Sequence, residues 1–119
     1  MMLQDLLLPE SILPHLKSRR LGTIIHHYLE IGSTNDAARQ FAEQGAPEGT
    51  LVLAEEQTQG RGRLGRPWLS EQGTGIYASI LLRPVVKPRY AAVLTLVAAV
   101  AASQAIEQAC GLITDIKWP

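Results

Sequence analysis

Between Gln57 and Gly75 the chain holds five glycines, three arginines and a proline, with no apolar residue recurring at a regular interval. Neither a helix nor a strand survives such a stretch. Glycine loses the most backbone entropy on being fixed, proline withdraws a donor, and no period of 2 or 3.6 gives a face to bury. The segment is read as a long loop, and loops of that length inside a compact domain are functional or disordered. Whatever fold the chain adopts has to hold this loop from both ends.

The flanks supply the holders. Leu51-Val52-Leu53-Ala54, introduced by the turn signals Pro47 and Gly49, reads as a short buried strand. Ile76 to Leu82 (IYASILL), closed by Arg83-Pro84, reads as another. Upstream, Thr23 to Ile31 (TIIHHYLEI) is β-branched and aromatic and predicts a strand ending at Gly32. Ser33-Thr34-Asn35-Asp36 then has the form of a helix N-cap with an acid in the first turn. Ala37, Ala38, Phe41 and Ala42 follow at helical spacing, with a stop at Gly45. Pro88 opens a long, alanine-rich helix through Ala109 whose wide apolar coverage suits packing across a sheet. Ile113 to Trp118 predicts a fourth strand. Residues 1–22 carry Pro9, Pro14 and the basic cluster Lys17-Ser18-Arg19-Arg20, and predict an arm of short helical pieces.

Composition narrows the function classes. At 119 residues and 46% hydrophobic, one core is affordable and wholesale disorder is excluded. Eleven basic residues cancel eleven acidic ones, which argues against a general nucleic-acid binder, so any electrostatic function is local. The single cysteine, Cys110, forms no intrachain disulfide and no Cys-rich metal cage; it suits a reducing compartment and is expected to be a small core residue. The N-terminus lacks the pattern of a secretory signal, and the longest apolar run, Ala91 to Ala102, is about half a membrane span. A cytoplasmic protein with no membrane and no nucleic-acid partner is expected. His26 and His27 fall on opposite faces of a strand, one packed and one solvated, with no carboxylate cluster to make either a metal ligand.

The loop's core, Gly60-Arg61-Gly62-Arg63-Leu64-Gly65, matches the spelling G-x-G-x-x-G. The dinucleotide reading fails on context, because those glycines should open a helix and here Arg66-Pro67 follows. An Arg-Gly-Arg hook for the DNA minor groove fails on setting, since the loop lies between apolar strands in a neutral domain. A solvated charged face is the plain alternative. Against it stand three arginines, three glycines and Trp68 within nine residues, a combination in which backbone N–H groups and guanidinium forks close on phosphate or carboxylate. Trp68 either stacks on a base or anchors the loop in the core. Lys117 is either a snorkelling surface cation or a charge placed for a phosphate. Ser33 and Thr34 are a helix cap or ligand contacts.

From about Ile31 to its last residue the sequence resembles the catalytic domain of biotin protein ligases, also called biotin–[acetyl-CoA-carboxylase] ligases. The resemblance rests on Ser33-Thr34-Asn35 at a strand-to-helix turn, Gln57 ahead of GRGRLGRPW at 60–68, and the ending Lys117-Trp118-Pro119; Leu64 departs from a position that is often polar or basic in the family. It implies an α+β fold of the class II aminoacyl-tRNA synthetase type, a mixed, mainly antiparallel sheet with helices on one face. It also implies an ATP-dependent ligase that makes biotinoyl-AMP and transfers biotin to a lysine of the biotin carboxyl carrier protein of acetyl-CoA carboxylase, with Mg2+ arriving with ATP.

By the same resemblance Arg61 and Lys117 would be catalytic. Ser33, Thr34, Asn35, Gln57, Gly60, Arg61, Gly62 and Arg63 would bind biotin, and Arg61, Arg63, Arg66, Trp68 and Lys117 would bind ATP, with no protein metal site. The loop is expected to be mobile when empty and ordered over ligand. The expected organisation is an arm at 1–22 and the N-terminal part of the catalytic domain at 23–119, with no helix-turn-helix domain and with the C-terminal part and its small β-barrel missing. A non-catalytic piece that pairs with a copy of itself or another chain through unpaired strand edges is the alternative. A lipoate or octanoate ligase relative is a further one, disfavoured by the arginine-glycine loop.

Overall fold

The structure is a computed structural model and describes residues 5–117. It falls into two compact units, Met1–Arg83 and Pro84–Pro119. In the first, strands β1 (Ile25–Tyr28), β2 (Leu51–Ala54) and β3 (Tyr77–Ile80) form one sheet in the order β1-β2-β3. β1 pairs parallel to β2 with Ile25 opposite Leu51, and β3 pairs antiparallel to β2 with Ile80 opposite Leu51. The expected mixed sheet is present, with one ladder of each kind. β2, at the centre, is covered on both faces, so it reads as an unbroken apolar run: Val52 and Ala54 are fully buried and Leu53 nearly so.

The parallel β1–β2 pair requires a crossover, and helix α2 (Thr34–Glu43) supplies it. α2 packs on β2 and β3 through its buried Ala37, and the His26 ring stacks on Phe41 with centroids 4.0 Å apart. Adjacent strand residues point to opposite faces, so His27 lies on the other side. It is not solvated, as the sequence suggested for one of the pair. Its Nε2 meets Glu55 Oε2 at 2.5 Å with both side chains nearly buried. The same carboxylate oxygen accepts the Leu7 N–H at 2.8 Å, which ties the N-terminal arm to that face of the sheet. The arm is broken as its prolines dictate, into α1 (Pro9–Ile12) and a 3-10 turn at Leu13–His15. Glu55→Ala is therefore expected to cost about 2–3 kcal/mol in urea unfolding, because it orphans a buried imidazole and a backbone donor together. An unchanged midpoint would show that the pair contributes nothing to the fold.

A second tie gathers the far end of the sheet. The Arg83 guanidinium donates to the carbonyls of Ala42 and Ala46 just beyond α2, and its backbone N–H donates to Glu48 Oε1 at 2.9 Å. Arg20 reaches the other Glu48 oxygen at 3.3 Å. The Arg83 N–H, and then the Arg20 charge, hold the Glu48 carboxyl below its ordinary value. With the folded value depressed, this support is present above the ordinary carboxylate range and is lost as pH falls through the depressed value.

The second unit consists of a 3-10 turn at Pro88–Tyr90 and helix α3 (Ala92–Cys110), which stops at Gly111 with φ +70°. Within this unit no residue of α3 is buried, and Cys110 is exposed rather than the core residue expected. The sequence reading took the apolar run to end at Ala102. The helical stretch Pro88–Cys110 is long and apolar enough by length and composition to cross a membrane, a test that core helices of water-soluble proteins also pass. The fourth strand expected from Ile113 does not form among the described residues: 111–117 carry no ladder. A strand exists only where a partner takes its N–H and C=O groups, and no described residue does so. Trp118 and Pro119 lie outside the described residues.

Candidate active site

Three separate segments converge at the N-terminal end of α2. Ser33 is its N-cap, extended at φ −154°, with Oγ accepting the Asp36 N–H. The parallel pairing of β1 with β2 continues past both strands through Ile31 opposite Gln57, the Thr58 N–H on the Ile31 carbonyl and the Gln59 N–H on the Gly32 carbonyl. That register lays Gln57 beside Thr34. Gln57 Oε1 accepts from the Thr34 N–H at 2.8 Å and from its hydroxyl at 3.1 Å, while Nε2 donates to Ser70 Oγ at 3.1 Å. These bonds fix which way the amide points and leave one of its N–H donors for a ligand acceptor. Ser33 and Thr34 are thus both cap and cleft wall, so the two sequence readings are compatible.

Ser79, in the middle of β3, is the residue sequence reasoning missed. It is buried, donates to Asn35 Oδ1, and its Oγ lies 2.9 Å from the Thr34 hydroxyl. The available signal was a small hydroxyl residue at the centre of an otherwise apolar and aromatic strand. It fixes the orientation of Thr34 and Asn35 from behind, through a strand that follows them by more than forty residues in sequence.

The arginine-glycine segment is a braced finger. The Trp68 N–H donates to the Gly60 carbonyl at 2.8 Å, the Gly62 N–H to the Arg66 carbonyl at 2.7 Å, and the Gln57 N–H to the Ser70 carbonyl at 3.0 Å. The base is therefore closed by backbone hydrogen bonds, while the tip turns through a 3-10 turn at Arg63–Gly65. Leu64, the departure from the family pattern, sits in the left-handed region at φ +60° and is 85% exposed. Gly60 has a packing reason of its own, beside the anion-binding one the resemblance implies. A Cβ there would lie 2.6 Å from both Ser70 Oγ and the Trp68 carbonyl, closer than any side chain allows.

The three arginines of the finger have different settings. Arg61 turns into the cleft and forms a two-pronged pair with Asp36, NH2 to Oδ1 at 2.5 Å and NH1 to Oδ2 at 3.2 Å. Arg63 and Arg66 stand exposed at the tip with no side-chain partner. Lys117 belongs to the second unit. Among the described residues no group of three His, Cys, Asp or Glu side chains could hold a metal ion.

What remains is a cleft of about 190 Å3 walled by Ser33, Thr34, Asn35, Gln57, Arg61 and Trp68. A larger groove of about 550 Å3 adjoins it, lined by Pro67, Trp68, Leu69, Ile76 and Tyr77. Trp68 is 63% exposed and borders both, so it forms part of their shared wall and is not a core anchor. A hydrogen-bonding cleft with a cation at its rim, beside an apolar groove, suits a small amphipathic acid.

Comparison with known proteins bears on this geometry. The profile of the Biotin/lipoate A/B protein ligase family matches residues 30–119. Among curated proteins, the Bifunctional ligase/repressor BirA of Bacillus subtilis is 46% identical over 104 residues, which is 87% of this chain and 32% of that protein. The Biotin–[acetyl-CoA-carboxylase] ligase of Paracoccus denitrificans is 42% identical over 89 residues, 73% of this chain and 36% of that protein. Among solved structures, the biotin protein ligase of Aquifex aeolicus in complex with biotin and ATP superposes with a TM-score of 0.66 at 35% identity, covering 82% of this chain and 40% of that one. The Leishmania major enzyme in complex with biotinyl-5-AMP gives 0.64 at 32% identity, covering 72% and 35%. The chain thus spans about a third of the length of the curated relatives it matches. With the profile covering three quarters of the chain, and the cleft built from Ser33, Thr34, Gln57 and Arg61, the chain belongs to the Biotin/lipoate A/B protein ligase family and corresponds to the N-terminal portion of a biotin protein ligase.

Proposed function

We propose that this chain forms the acid-binding part of a ligase that activates biotin with ATP and passes it to a lysine of the biotin carboxyl carrier protein of acetyl-CoA carboxylase. The observation that carries the reading is the meeting of Thr34, Gln57 and the Arg61 fork on one small cleft beside an apolar groove. A ureido ring offers two N–H donors and a carbonyl. The Ser33 and Thr34 hydroxyls accept from the former, and the free Gln57 N–H donates to the latter. The apolar wall shared by cleft and groove, Trp68, Ile76 and Tyr77, takes the remaining carbon skeleton, with the carboxylate turned to Arg61 on the cleft.

In the reaction a carboxylate oxygen attacks the α-phosphorus of ATP, the bond to the bridging oxygen breaks, and pyrophosphate leaves. The acceptor lysine amine then attacks the acyl carbon, AMP leaves, and the amine gives up its proton. Both anions have to approach each other. Arg61, with Arg63 and the Gly60 and Gly62 backbone, would offset that charge, Arg66 would reach the triphosphate, and Trp68 would flank the adenine. Lys117 would neutralise charge at the phosphorus, and Mg2+ would enter with the nucleotide. The cytoplasm, where carboxylase and ATP meet, is the proposed location.

One observation favours a second reading. The chain covers about a third of the curated relatives it matches, and in this second reading it supplies acid recognition while further polypeptide, a copy or a complementary chain, completes catalysis. Biotin-dependent exchange of labelled pyrophosphate into ATP separates the two. Exchange that requires biotin supports the ligase reading, biotin binding without exchange supports the second, and neither overturns both. Lipoate in place of biotin, giving equal exchange, would move the substrate to the family's other branch.

A further inference from the structure

Among the described residues, Arg61 is the one arginine of the loop whose side chain is held, and it is held by a carboxylate. Asp36 presents both oxygens to two guanidinium nitrogens, the geometry with which arginine grips a carboxylate or two phosphate oxygens. Asp36 is no remote surface acid. It lies in the first turn of α2, its N–H is taken by Ser33 Oγ, and it directly follows Asn35 in the cleft wall. An anion that takes the NH1–NH2 end of the Arg61 fork from the cleft displaces Asp36 from it. The pair is about half exposed, with side chains 51% and 39% accessible, so it is weak enough to exchange.

We propose that Asp36 is a positioning residue that stands in for the ligand's anion: it aims Arg61 over the empty cleft and braces the finger until a carboxylate or phosphate displaces it. This rests on the ligase reading for the ligand's identity but not for the latch itself. The consequence for binding is specific. An anionic ligand competes with Asp36 for the fork and meets its charge, whereas a neutral ligand of the same shape does neither.

Amide hydrogen exchange on the ligand-free chain, wild type against Asp36→Asn, tests the latch. Exchange at Gly62 and Trp68, whose N–H groups close the finger, should quicken about two- to fivefold in the variant, the range of an exposed ion pair. Raising salt to about 0.5 M should reproduce that change in wild type and add nothing in the variant, because the pair is screened. Equal rates in both proteins at low salt would overturn the proposal. So would equal acceleration along α2 from Ala37 to Phe41, which would mean Asp36 serves the helix and not the finger. The second arm is binding: biotin should bind Asp36→Asn about two- to fivefold tighter, while biotinamide, which has no carboxylate, binds both proteins alike. Equal gains for both ligands would overturn the competition. Failure of both to bind wild type, with the exchange arm as expected, sinks the biotin assignment and leaves the latch standing.

Discussion

Arg61→Ala is expected to lower biotin-dependent pyrophosphate exchange by about a thousandfold while leaving the unfolding midpoint nearly unmoved. The first half follows from its place: it is the cation at the rim of the cleft, and its fork is the group proposed to meet charge as two anions are brought together. Removing one such donor from a site of this kind costs about 10²- to 10³-fold, with the upper end expected where no neighbouring arginine lines the cleft. Arg63 and Arg66 do not line the cleft, so in this account Arg63 adds to the charge and Arg66 reaches the triphosphate, but neither replaces the Arg61 fork. The second half follows from exposure. The side chain is 51% accessible, and its one ion pair, with Asp36, is an exposed one, worth about 0–1 kcal/mol. A variant that unfolds readily, or that exchanges at the wild-type rate, would contradict this account of Arg61.

Gly49→Ala should do the opposite, abolishing the fold with no contact to the cleft. Gly49 precedes β2 with φ +91°, where its N–H donates to the Leu81 carbonyl at 2.7 Å and its own carbonyl accepts the Gly22 N–H at 2.8 Å. A Cβ built there would stand 1.7 Å from the Arg20 carbonyl oxygen. Nothing in that contact is a flexible side-chain end, so the arm's backbone must move and break the bonds that hold it against β2 and the end of β3. Strain at positive φ and forced overpacking together are expected to cost about 3–5 kcal/mol, a large share of the stability of a small domain. Urea unfolding checks it, and a loss below about 1 kcal/mol would mean the arm is not seated as described.

How far these features could be read from the sequence depends on how local they are. The Ser33 cap, the helix that stops at Gly45, the β2 run and the long loop are each written in one continuous stretch of sequence, and each stands where expected. Gln57 and Thr34 were named as site residues separately. That one grips the other through a parallel register crossing 23 residues was not legible, because register is set by tertiary pairing. The same applies to Ser79, to the His27–Glu55 pair and to Asp36, which looked like nothing more than a first-turn acid. The segment after Gly111 shows the converse. Ile113 and Ile116 have strand character, but propensity without a partner makes no ladder. In the loop, the glycine-rich composition pointed to a mobile segment. The finger's base is closed by backbone hydrogen bonds and by a glycine that packing demands, while Arg61 and the run from Arg63 to Leu69 stand exposed.

The central claim is that the cleft between the α2 cap and the finger binds biotin. Amide hydrogen exchange of the wild-type chain with and without saturating biotin addresses it most directly. The account predicts slowed exchange at residues 33–36 and 60–62, where the hydroxyl cap, the Gly60 and Gly62 backbone and the Arg61 fork close on the ligand. Unchanged exchange at both segments, with biotin present far above any useful affinity, would contradict it.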